Sequence, residues 1–116
     1  MKVMVCLISD QHVPNLLTVH AIEPDLLFLI ETPGMKAKRG ASNFIRALRM
    51  GSSKKPKCKI KALDEENSIV AMNDLLDDLF LKFSDAEWIV NITGGTKPMS
   101  IGTYEFFKEK NAKILY

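Results

Sequence analysis

Cys6 and Cys58 are the only cysteines in the chain, and no CxxC spacing joins them. That excludes a disulfide framework and a thiolate zinc site, and both residues read as buried thiols of a reducing compartment. Histidine is equally scarce, with only His12 and His20. Apolar runs such as Leu26–Ile30 are of strand length, far short of the roughly 20 residues a membrane span needs. Met1–Ile8 passes into a strand pattern with no small-residue cleavage site behind it, so a signal peptide is not expected. The expected location is cytoplasmic, without membrane contact. The Asn91-Ile92-Thr93 triplet then matches a glycosylation acceptor only by chance. Neither a GxGxxG dinucleotide fingerprint nor a GxxxxGK[ST] phosphate loop occurs.

What is present is ordinary for a folded domain. The 116 residues are 47% hydrophobic and 26% charged, which suits one domain over residues 1–116 and argues against disorder. The net charge of +2 conceals an asymmetry: ten basic and no acidic residues between Lys36 and Lys61, then eight acidic residues against Lys82 alone between Asp64 and Glu87. A basic stretch attracts polyanions, but a solvated helix and loop balanced by the acidic helix that follows explains it equally. Direct DNA or RNA binding is therefore not expected.

Val3–Ser9 is a near-continuous apolar run, the pattern of a strand buried on both faces. Pro14 opens a helix to about Ile22, Leu26–Glu31 is a second buried strand, and Thr32-Pro33-Gly34 reads as a turn. Ser42–Met50 forms a helix with Phe44, Ile45 and Leu48 on one face and Gly51 as its cap. Ser52–Pro56 is a loop. Cys58, Ile60 and Ala62 alternate with lysines, which indicates a half-buried strand near a sheet edge. Ile69, Met72, Leu75, Leu76, Leu79, Phe80 and Phe83 trace the apolar face of the clearest helix. Trp88–Ile92 is a strand, Thr93–Lys97 a polar turn, Pro98 to about Asn111 a helix, and Ala112–Tyr116 a last strand.

Strands alternating with helices imply an α/β fold: a Rossmann-like, doubly wound, mainly parallel sheet with helices on both faces. The common strand order 3-2-1-4-5 puts the first and fourth strands side by side, and ligands of such sheets bind where the order reverses. The loops leaving those strands are Ser9–Asn15 and Asn91–Met99, and they carry the densest polar chemistry in the chain. In Thr93-Gly94-Gly95-Thr96-Lys97-Pro98, adjacent glycines expose backbone N–H groups, a helix start faces the same place, and Lys97 adds a full charge, which together make a phosphate cradle. A bare Gly-Gly turn can also be purely structural; its placement favours binding. In the other loop, Asp10 has no second carboxylate beside it, so no metal is expected. His12, weighed as a general base, reads as a hydrogen-bonding or solvated residue, and His20 as structural.

The string Asn91-Ile92-Thr93-Gly94-Gly95-Thr96-Lys97-Pro98-Met99 resembles the signature of the CRISPR-associated Rossmann fold (CARF) family. The opening, with Ser9-Asp10-Gln11 and Val13-Pro14-Asn15, resembles the branch found in cyclic-oligoadenylate-activated CRISPR ancillary nucleases, long labelled a domain of unknown function. The resemblance implies a homodimeric second-messenger sensor of type III CRISPR antiviral defence, with cyclic oligoadenylate, foremost cyclic tetra-adenylate, lying across the two-fold axis. It implies ligand contacts from Ser9, Asp10, Gln11, Asn15, Thr93, Gly94, Gly95, Thr96, Lys97 and Met99, to which Thr32 and Asn91 are added as residues at the same ends of the sheet. No catalytic residue, metal or cofactor is assigned.

Members of that branch continue into a winged-helix segment and a restriction-endonuclease-like domain, whereas this chain carries no PD-(D/E)xK motif. The resemblance thus leaves a sensor domain of a longer effector, or a stand-alone sensor whose effector nuclease is a separate protein. The alternative is an enzyme, a metal-independent ring nuclease in which the ligand's 2′-hydroxyl attacks while Lys97, Thr96 and Ser9 hold it in line. In the dimer, Tyr104, Phe106 and Phe107 offer more aromatic surface than one core-facing stripe uses, leaving some for a partner.

Overall fold

The computed structural model describes residues 1–51, 56–65 and 67–116. The elements run β1 (Lys2–Leu7), α1 (Val13–Ile22), β2 (Leu26–Glu31), α2 (Pro33–Ala37), α3 (Gly40–Gly51), β3 (Lys57–Ala62), α4 (Ile69–Lys82), β4 (Glu87–Asn91), α5 (Lys97–Phe107) and β5 (Ala112–Leu115). The strands form one parallel sheet in the order β3-β2-β1-β4-β5. This is the expected doubly wound arrangement, with β1 and β4 adjacent at its centre. Among the described residues no helix is long and apolar enough to cross a membrane.

The continuous apolar strands are explained by the two layers of helix. On β1, Val3, Val5 and Leu7 face α4 and α5, where they join Phe28, Met72, Leu76, Trp88 and Phe107. Met4, Cys6 and Ile8 face α1 and α3, among Val19, Leu29, Phe44 and Leu48. Both sides of a central strand are thus removed from water, so no polar alternation survives in its sequence. Burial pushes the Cys6 thiol well above its ordinary pKa and raises that of the half-buried Cys58 as well, where the positive charge of Arg49 opposes the shift.

Three local expectations change. Thr32-Pro33-Gly34 is no simple turn: the Thr32 hydroxyl accepts from the Met35 N–H at 3.2 Å and starts the one-turn helix α2. Proline at its first position conceals nothing by itself; the helix is too short to show a periodicity. Gly51 is the last residue of α3 and does not adopt the left-handed backbone of a cap, and the loop expected after it falls, at residues 52–55, outside the described residues. Finally, β3 is an edge strand as expected, but more exposed than its alternation suggested. Ile60 is 41% exposed and Ala62 is also exposed.

Candidate ligand-binding cleft

The loops after β1 and β4 are locked together by two buried asparagines. Asn15, on the first turn of α1, donates its amide to the Leu7 carbonyl at 3.0 Å and accepts from the Asn91 amide at 2.9 Å. Asn91, the last residue of β4, also donates to the Thr18 hydroxyl at 3.1 Å and accepts from the Thr93 N–H at 3.0 Å. Both side chains are 2% exposed. Buried and bonded to the backbone and to each other, they set the geometry of the site from behind it.

The β4–α5 turn is packed onto the end of β1. A Cβ on Gly94 would lie 2.2 Å from the Leu7 carbonyl oxygen, so no side chain fits. Gly95 has φ +80°, the left-handed region that favours glycine. Thr96 then caps α5, its hydroxyl accepting from the Met99 N–H at 3.4 Å while the Met99 sulfur accepts from the Thr96 N–H at 3.5 Å. Met99 is 1% exposed and supports the turn from the core. Ser100 Oγ bonds the carbonyls of Ile92 at 2.9 Å and Gly94 at 3.2 Å, fastening the turn to its own helix. Sequence reasoning passed over Ser100; a hydroxyl one turn into a helix with a preceding polar turn is the only trace it left.

These constraints shape a cleft of about 300 Å³ lined by Ile8, Ser9, Asp10, Thr32, Gly34, Met35, Lys38, Gly95 and Thr96. It lies beyond the carboxyl ends of the strands at the reversal of strand order. Of the residues expected at the site, Ser9, Asp10, Thr32, Gly95 and Thr96 line it. Ser9 forms a tight polar turn, its hydroxyl accepting from the Gln11 N–H at 3.3 Å. Gln11, Thr93 and Lys97 are exposed and lie outside the lining, with Lys97 on the first turn of α5. His12 packs edge-on to Phe44, with ring centroids 5.7 Å apart, and His20 lines a separate apolar groove with Leu16 and Leu17.

The far wall comes from α2 and was not foreseen. Gly34, Met35 and Lys38 belong to the stretch read as a turn and a solvated charge run, and only the capped helix folds them over the cleft. Lys38 Nζ lies 3.5 Å from Asp10 Oδ1. The adjoining Glu31 carboxylate is buried and accepts from the Ala41 N–H at 3.2 Å, where it holds the start of α3 and complements its dipole.

A family model describing the Card1 CARF domain matches residues 3–116, the same span that builds the sheet and both walls of the cleft. The chain belongs to the Card1 CARF domain family. Among solved structures, this CARF domain resembles Can2 from Sulfobacillus thermosulfidooxidans in complex with cyclic tetra-adenylate, with TM-score 0.83 and 25% identity over 98% of this chain and 31% of that one. Csm6 from Enterococcus italicus, bound to cyclic hexa-2′-fluoro-hexa-dAMP, aligns with TM-score 0.70 and 20% identity over 98% and 32% of the two chains. Protein VC1899 from Vibrio cholerae aligns with TM-score 0.78 and 14% identity over 97% and 30%. The last two likenesses concern the fold alone. This CARF domain therefore spans about a third of the length of each of these structures. No curated protein matches it.

Proposed function

We propose that this CARF domain is a sensor for a cyclic oligoadenylate, foremost cyclic tetra-adenylate, in type III CRISPR antiviral defence. The observation that carries this reading is the cleft itself: a glycine turn, a helix start and hydroxyl groups converge at the reversal of strand order, on a fold that aligns over 98% of its own length with part of cyclic-tetra-adenylate-bound Can2. Thr96 and Gly95 present the turn to a phosphate, Ser9 and Thr32 offer hydroxyls, and exposed Lys97 supplies charge from the rim.

The ring is shared by two copies of the domain. A cleft of about 300 Å³ is at the small end of the roughly 300–1,000 Å³ that encloses a single drug-sized ligand, and a ring of four nucleotides exceeds it. A two-fold dimer doubles the cradle and matches a symmetric ligand. The surface beside α5 favours this assembly, with Tyr104 the most open of the three aromatics expected there. Phe107 is fully buried, whereas Phe106 packs edge-on to Phe80 and keeps part of its surface in an open cavity. Tyr104 joins exposed Ile101 on α5 and Ile69 and Val70 at the start of α4 in an apolar face. The downstream partner is an effector nuclease domain, fused or separate.

Calorimetry with cyclic tri-, tetra- and hexa-adenylate, paired with light scattering, tests the reading. The expected outcome is one ring per two chains. Lys97→Ala is expected to weaken binding by about 1.5–3 kcal/mol per lost phosphate contact with an unaltered melting curve, because the side chain is exposed. No binding of any ring, or one ring per single chain, refutes the sensor or its dimeric site respectively. Linear product from a metal-free incubation would assign ring opening to this domain.

A further inference from the structure

Asp10 places a carboxylate in the lining of a cleft proposed to receive a polyanion, and an unpaired negative charge there would repel phosphate. The structure answers that charge from the opposite wall. Lys38, the residue after α2, reaches over to Asp10 with 3.5 Å between Nζ and Oδ1, and both residues line the cleft together with Thr32, Gly95 and Thr96. The two side chains remain 62% and 72% exposed. An ion pair this open to water is weak and readily exchanged, and the ammonium is a compact charge on a flexible stem that can turn to another anion without moving the backbone. A phosphate lying in the cleft beside Gly95 and Thr96 would be such an anion.

We propose that Lys38 is an anion-binding residue of this cleft, held at its mouth by Asp10 in the free protein and transferred to a phosphate group when the ligand enters. Asp10 is then a weak competitor for Lys38. The identity of the ligand rests on the cyclic-oligoadenylate reading above; the anion chemistry of Lys38 does not.

The two partners have opposite effects under this mechanism, which separates it from a structural brace. Lys38→Gln is expected to weaken cyclic tetra-adenylate about tenfold, the size of one charge-assisted contact, and to lessen the salt dependence of binding. Asp10→Asn is expected to tighten binding several-fold, since the competitor and its repulsion are removed together. Both variants are expected to melt as the unaltered chain does, the pair being exposed. Equal affinity of Lys38→Gln and the unaltered chain overturns the proposal while leaving the sensor reading intact, and so does equal weakening by both variants, which is the mark of a brace. If the unaltered chain binds no cyclic oligoadenylate, the sensor reading falls and inorganic tripolyphosphate decides for Lys38. Binding of tripolyphosphate that is lost in Lys38→Gln upholds the anion site, and absence of binding, or binding indifferent to the substitution, overturns it.

Discussion

The Gly94–Thr96 turn on one side of the cleft is fastened from every direction: Leu7 behind it, Met99 beneath, Ser100 on its carbonyls, and the Asn15–Asn91 pair at its root. The Thr32–Lys38 segment opposite it depends on one capping hydroxyl, its own single helical turn, the half-buried Met35 and an exposed ion pair. One wall is held by several buried polar bonds whose loss leaves orphaned partners; the other is held by a single cap, the packing of Met35 and an ion pair that water screens. A rigid wall suits groups that must be preorganised for a phosphate, and a loosely held wall suits residues that rearrange around a ligand.

The comparison is open to being broken. Gly94→Val carries the largest expected effect. Its Cβ alone would meet the Leu7 carbonyl at 2.2 Å, so the turn must leave the end of β1, with a loss of about 2–4 kcal/mol and a drop in Tm of roughly 10 °C or more. That substitution therefore reports on folding before it reports on the ligand; a normal melting curve would show that the rigid wall yields. Asn91→Ala comes next. It strips partners from the Asn15 carbonyl oxygen, the Thr18 hydroxyl and the Thr93 N–H, and chemical denaturation is expected to register about 1–3 kcal/mol. A loss no larger than that of an exposed surface substitution would mean that water repairs the network.

Thr32→Ala, on the looser wall, is expected to remove about 1 kcal/mol through loss of the α2 cap. Hydrogen exchange sharpens this, because the Met35 amide, which donates to Thr32, should lose protection while the amides of β1 and β4 keep theirs. Protection lost throughout the sheet would make α2 part of the cooperative core and erase the distinction between the walls. The smallest effect is expected from neutralising Lys57, Lys59 and Lys61 together. They lie on edge strand β3, outside the cleft lining, so affinity for a cyclic oligoadenylate should change by less than tenfold, about 1.4 kcal/mol. A greater loss would bring the basic edge into ligand binding. The segment at Lys54 and Lys55 lies outside the described residues.

The amino-acid sequence by itself determined the alternation of strand and helix, the burial of β1, β2 and β4 on both faces, and the place where β1 and β4 part. Those features follow from local periodicity and from apolar continuity, which each segment carries within its own few residues. It also marked Thr93–Lys97 as a tight glycine turn before a helix, the geometry that Gly94 and Gly95 adopt. What the tertiary structure alone decided is which way the polar residues turn. Asn15, Asn91 and Met99 stand in the polar loops beside Ser9 and Thr96, yet their side chains go inwards, since the buried carbonyl of Leu7 and the N–H groups of the turn need partners. Lys38 and Met35 come to the cleft from a basic stretch that reads equally well as a solvated surface, carried there by one capped turn too short to leave a period in the sequence. Hydrogen-bond satisfaction and the approach of distant segments depend on atoms far apart in the chain, and no local pattern encodes them.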